Sequence, residues 1–155
     1  MWNRKRSVTL SLAVCFAVCV ALAAGLFVGP WIVKIWFHTY RGWAENGEGM
    51  ERMLTLFGLC FYPCACLGFV TLYSLIRLLL NIRNDVIFIT ANVQYLRRIS
   101  WCCIVVFFIT LIAGAFYIPY LFVSVAAGFV GLMLRVVKNV MENAVQLKEE
   151  NELTI

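Results

Sequence analysis

Seven cysteines are the first residues to test for chemistry: Cys15, Cys19, Cys60, Cys64, Cys66, Cys102 and Cys103. Thiolates can hold a metal or exchange disulfides. Cys60, Cys64 and Cys66, however, follow a C-x3-C-x-C spacing rather than the C-x-x-C of a redox pair, and no nearby histidine or acid completes a zinc site. All seven lie inside or at the ends of apolar runs, which argues against a disulfide framework. They read as small, soft hydrophobes that pack, with lipidation of Cys102 and Cys103 as a weaker alternative. His38 is the only histidine, so a catalytic dyad or a multi-histidine metal site is excluded. Glu45, Glu48 and Glu51 recur every third residue and could share a helix face near His38 around a cation. Asn46, Gly47 and Gly49 favour turns, and a solvated loop is the expected form. No glycine-rich phosphate loop follows a strand, and no serine stands in a nucleophile elbow. The sequence therefore assigns no catalytic, cofactor-binding or metal-binding residue, and a non-enzymatic protein is expected.

Whatever positions these residues is a membrane. The chain of 155 residues is 63% hydrophobic and only 14% charged, whereas a soluble domain is about half apolar and a quarter charged. A soluble fold of this size could not bury so much apolar surface. Apolar runs cover about 8–33, 54–76, 101–118 and 120–137, each close to the roughly 20 residues that cross a hydrocarbon core. The expected fold is an all-α integral membrane protein, a bundle of four transmembrane helices. Pro119, in the link Tyr117-Ile118-Pro119-Tyr120, divides the last two runs and predicts a tight hairpin. An outer loop is expected over 35–53, a cytoplasmic loop over 77–100 and a cytoplasmic tail over 138–155.

Basic residues set the orientation. Arg4, Lys5 and Arg6, then Arg77, Arg83, Arg97 and Arg98, then Arg135, Lys138 and Lys148 all fall on one side of a four-span chain. The other side holds only Lys34, Arg41 and Arg52. By the positive-inside rule both termini are expected in the cytoplasm, and the net charge of +5 is a topology signal rather than a nucleic-acid footprint. Direct nucleic-acid binding is not expected. A signal peptide cleaved after Ala21-Leu22-Ala23 is the rival reading, but the apolar run continues through Gly25–Val33, so an uncleaved first span is expected.

Inside the spans no ionisable residue sits mid-membrane, which lowers a proton-coupled transport reading. Ala13, Ala17, Ala21, Gly25 and Gly29 form a small-residue stripe spaced four apart, suited to helix packing within the bundle or to homo-oligomerisation. Pro63 removes one backbone hydrogen bond from the second span and predicts a kink.

The polar pattern concentrates on the expected cytoplasmic side. Thr90 reads as an N-cap of a helix running into the third span. Val93, Leu96 and Ile99 share a face of it, while Gln94, Arg97 and Arg98 point elsewhere, either towards anionic headgroups or towards a partner. Val136, Val137, Val140, Met141, Ala144 and Val145 form an apolar helical stripe, so the fourth helix is expected to extend into the cytoplasm, ending in Leu147-Lys148-Glu149-Glu150-Asn151-Glu152-Leu153-Thr154-Ile155.

Two of these segments carry a family resemblance. Phe88-Ile89-Thr90-Ala91-Asn92-Val93-Gln94-Tyr95-Leu96-Arg97-Arg98-Ile99 is similar to the F-x-T-x-N-V-x-x-L-R-x-I pattern of the bacterial membrane family DUF2975, whose function is unknown. The ending resembles that family's L-x-E-E-N-D-L-T-I, with Glu152 where aspartate is usual. Members are often encoded beside a small helix-turn-helix regulator. The resemblance thus implies a bacterial inner-membrane protein that acts as the membrane partner of such a cytoplasmic regulator. Candidate contact residues are Phe88, Thr90, Asn92, Val93, Leu96, Arg97, Glu149, Glu150, Asn151, Leu153 and Thr154. The alternative is a small oligomeric transporter or channel for neutral or apolar solutes, packed through the Ala13–Gly29 stripe and gated near Pro63.

Overall fold

The computed structural model describes residues 4–40, 47–116 and 118–153. They form four helices: α1 (Arg4–Tyr40), α2 (Gly47–Arg83), α3 (Thr90–Gly114) and α4 (Pro119–Leu153). All four are long and apolar enough to cross a membrane, and no strand occurs among the described residues. Hydrocarbon offers the backbone no hydrogen-bond partners, so a helix, which satisfies its own, is the form such runs must take.

The helices outrun the apolar segments that define them. At 1.5 Å per residue, the 37 residues of α1 and of α2 and the 35 of α4 each exceed about 50 Å. The expected outer loop over 35–53 is therefore mostly helix: α1 continues to Tyr40 and α2 begins at Gly47. Gly47 and Gly49 stand in the first turn of α2, where backbone N–H groups lack helical partners in any case, so their turn preference does not decide the structure. Both α1 and α2 stay helical through their prolines, Pro30 and Pro63.

The expected cytoplasmic loop over 77–100 likewise shrinks to the six residues between Arg83 and Thr90. Asp85 adopts a left-handed backbone, φ 58°. Its N–H reaches Ile82 O at 3.2 Å and the Val86 N–H reaches Asn81 O at 3.0 Å. This pair of bonds is a Schellman stop, which normally recruits glycine at the left-handed position. The chain then enters α3 through an extended Ile89, which is the N-cap and has no side-chain cap bond. Thr90 is thus the first helical residue rather than the N-cap expected of it, because the Schellman turn brings the extended backbone one residue earlier.

The α3–α4 hairpin is as tight as predicted but begins sooner, since α3 ends at Gly114 rather than near Ile118. A Cβ on Gly114 would lie 2.6 Å from Leu121 Cδ2 and 3.3 Å from Leu121 N. Only glycine permits that approach, and it sets where the chain can turn. Pro119 opens α4 at the first helical position, where its missing N–H costs nothing.

Each helix packs on its neighbours in the chain and on nothing else among the described residues: α1 on α2, α2 on α3, α3 on α4. The expected four-helix bundle takes the form of a row in which only chain neighbours touch. Lipid is as apolar as leucine, so apolar helix faces have no drive to close upon one another. The outer helices expose Phe16 and Phe27 on α1 and Phe122 and Phe129 on α4, side chains suited to lipid.

Where α1 meets α2, the small-residue stripe divides. Gly29 is buried, and a Cβ on Gly25 or Gly29 would lie 3.5 or 3.4 Å from the ring of Phe61 or Phe57. Ala13, Ala17 and Ala21 remain exposed. Residues four apart rotate by about 40° per step around a helix of 3.6 residues per turn, so a five-member stripe winds off any straight neighbour.

Candidate functional site

The membrane-buried interior offers little chemistry. All seven cysteines are free, and no group of histidine, cysteine or acidic side chains among the described residues could hold a metal. Of the His38–glutamate cluster, Glu45 and the side chains of His38 and Glu48 lie outside the described residues, while Glu51 is exposed. Polar geometry gathers instead at the end of the row that carries the start of α1, the 84–89 turn and the end of α4.

Asn92 organises that turn. It is fully buried; its Nδ2 donates to Val86 O at 3.0 Å and to Ile87 O at 2.7 Å, and its Oδ1 accepts from Asn81 Nδ2 at 2.7 Å. One amide thus satisfies two turn carbonyls and joins α2 to α3. Val93, Leu96 and Ile99 are buried along the same helix, as their spacing predicts, and Gln94, Arg97 and Arg98 are exposed. Of the candidate contact residues in this segment, Phe88, Thr90 and Arg97 are accessible, whereas Asn92, Val93 and Leu96 face the interior.

The α3–α4 interface is the closest in the molecule. A Cβ on Gly128 would meet the Phe107 ring at 2.8 Å, and one on Gly131 would lie 3.2 Å from Cys103 Cβ. With the backbones so near, short side chains bridge them: Ser100 Oγ donates to Gly131 O at 2.8 Å and Ser124 Oγ donates to Phe107 O at 3.2 Å. Sequence reasoning missed this seam, although Ser124, Gly128 and Gly131 carry the same small-residue signal as the first span.

Above the seam, Arg97 pairs with Glu142 at 3.3 Å and Lys138 with Glu142 at 2.6 Å. The Lys138 hydrogen bond is the main cause, with the charges of Lys138 and Arg97 adding to it, that holds the Glu142 carboxyl below its ordinary range despite some desolvation. Arg135 lies over the Trp101 ring, 5.0 Å from its centroid. Arg97, Ser100, Trp101, Arg135 and Lys138 line a cavity of about 280 Å³.

Farther along α4, Met141, Ala144 and Val145 turn inward while Val136, Val137 and Val140 stay exposed, so the expected apolar stripe splits into a packed half and an open half. Every residue from Gln146 to Asn151 is exposed, Glu149 and Glu150 included. Leu153 closes the helix with its side chain outside the described set, and Thr154 lies outside it altogether.

A family model described as "Protein of unknown function (DUF2975)" matches residues 38–155, which takes in α2, α3, α4 and the segments Phe88–Ile99 and Leu147–Ile155. No curated protein and no solved structure matches the chain. With about three-quarters of its length under one family model, including the Asn92 turn and the α3–α4 seam, this chain belongs to the DUF2975 family.

Proposed function

We propose that the chain is a multi-pass protein of the bacterial inner membrane, with both termini in the cytoplasm, that works by binding a cytoplasmic partner. The observation that carries this reading is the end of α4. Its last turns run past the start of α3, so Gln146–Asn151 stand exposed around the helix, with Leu147 presented among lysine and glutamates. A helix of about two turns projecting from a membrane-anchored pair is a handle for another protein. Arg97, exposed and paired with Glu142, stands near its base, and the exposed Phe88 and Thr90 lie at the same end of the row. The basic residues of this end favour the cytoplasmic face. The family setting favours a small helix-turn-helix regulator as the occupant, with the membrane protein holding or releasing it.

The test is capture, from detergent, of the regulator encoded beside this gene. The full chain should retain it and a chain truncated before Leu147 should not. Equal capture by both, or none by either, ends the proposal.

A second reading keeps one observation of its own. Ala13, Ala17 and Ala21 are unclaimed by α2 and offer a smooth face to another copy, as an oligomeric transporter or channel for neutral solutes would require. Liposomes reconstituted with the protein and showing no flux across a broad solute panel would remove it.

A further inference from the structure

We infer that the cavity between α3 and α4 binds the phosphate of an anionic phospholipid headgroup. Its cationic lining is Arg97, Arg135 and Lys138, with the Trp101 ring as one wall. Glu142 partners Arg97 and Lys138 and offsets one of the three positive charges. Arg135 is held against an aromatic face instead of a carboxylate, which orders its guanidinium and leaves its forked donors for a phosphate. The Ser100 hydroxyl proton is committed to Gly131 O, so the three cations are the donors available to an anion.

Depth selects a lipid over a soluble phosphate. Arg135 lies about 24 Å along α4 from Pro119, and Lys138 about 28 Å, at 1.5 Å per residue. A hydrocarbon core is about 30 Å thick, so with the hairpin at one surface the cavity sits where headgroups of the other leaflet begin. Below it, Trp101, Val105, Phe108 and Ile112 are exposed at helical spacing along α3. They make an apolar track about 16 Å long that starts at the cavity wall and runs into the membrane. A charged socket at the head of an apolar track fits a phosphodiester that carries acyl chains, whereas a free phosphate would use only the socket. Basic pockets between transmembrane helices recognise anionic lipids in this way.

The experiment is lipid titration of the purified full chain in phosphatidylcholine-based mixed micelles, read by native mass spectrometry and thermal unfolding. Phosphatidylglycerol should bind and raise the unfolding temperature, and inorganic phosphate should neither bind stably nor compete. The double variant Arg135→Gln/Lys138→Gln should lose about thirtyfold in affinity, from about a fivefold contribution per cation at a membrane surface. Arg135→Lys/Lys138→Arg, which keeps both charges and guards against misfolding, should stay within a few-fold of wild type. Arg83→Gln/Arg98→Gln removes the same charge from the same end but outside the cavity, and should leave affinity unchanged. Equal loss in that control means diffuse surface attraction and overturns the site. Binding of inorganic phosphate as tight as that of the lipid overturns the lipid as its occupant.

Discussion

In the α3–α4 pair a Cβ on Gly128 would fall 2.8 Å from the Phe107 ring and one on Gly131 would fall 3.2 Å from Cys103 Cβ, and serine hydroxyls cross the gap to carbonyls of the facing helix. In the α1–α2 pair the glycines do something else. Gly25 and Gly29 form shallow seats for the rings of Phe61 and Phe57, at ordinary contact distance. One pair adds serine bonds to main-chain carbonyls, the other rests on large side chains seated on small ones. The difference matters in lipid, where apolar contact alone gives little net drive and close backbone approach with polar bridges gives more. The α3–α4 pair is thus built as the rigid element of the molecule. It is also the pair that carries the basic cavity and the projecting end of α4.

The sharpest way to break the contrast is to fill the gap beside the Ser100 bond. Gly131→Leu drives a side chain into Cys103 and Ile104, where even a Cβ has 3.2–3.3 Å, and it pushes the Ser100 bond apart. Overpacking of this kind costs about 3 kcal/mol. The expected outcome is a large fall in the detergent-unfolding midpoint together with loss of a disulfide cross-link engineered between α3 and α4.

Asn92→Ala should come next. It removes three hydrogen bonds, leaving Val86 O and the Asn81 amide without their Asn92 partner and Ile87 O with the Ile89 N–H alone, at a cost of about 2–3 kcal/mol. Asn92→Asp should fare no better, because a carboxylate cannot donate to Val86 O and Ile87 O. Amide hydrogen exchange confined to the 84–92 segment would rise in both variants.

These two positions also show what a sequence can and cannot disclose. The four helices were legible because their apolar runs come close to or exceed the length of a membrane crossing, and the inward face Val93–Leu96–Ile99 was legible from spacing. Asn92 was not. A polar residue within a polar motif looks the same whether it faces a partner or ties up a turn, and only the Asp85 stop reveals which carbonyls await it. Arg135 read as one of the basic residues that set orientation, and its partnership with Trp101 depends on the register between α3 and α4. The loop over 35–53 was misjudged because glycines near a helix start and glycines in a turn carry the same local signal.

The contrast can be sharpened from the other side with Gly29→Ala. Here an added Cβ meets the Phe57 ring at 3.4 Å, ordinary contact, and alanine removes the entropic cost of a mid-helix glycine, about 0.5–1 kcal/mol. The unfolding midpoint should hold or rise slightly. A fall as large as that of Gly131→Leu would mean that α1–α2 is also joined by main-chain approach, and the two pairs would no longer differ in kind.

The smallest effect belongs to Glu142→Gln, because the carboxylate and Arg97 are open to solvent, although Lys138 is only 15% exposed, and pairs open to solvent contribute little. Its value lies in its pH dependence. The folded carboxyl titrates below its ordinary value of 4.5, chiefly through the Lys138 bond, so the unfolded chain binds the proton more readily. The stabilisation is therefore complete above that ordinary range and disappears as pH falls through the lower folded value. Wild type should unfold slightly later than the glutamine variant at neutral pH, and the two curves should converge in acid. Raising salt at neutral pH should narrow the gap by screening. A gap that persisted unchanged into acid would show that residue 142 stabilises α4 by packing, and the ion pair would drop out of what distinguishes the α3–α4 pair.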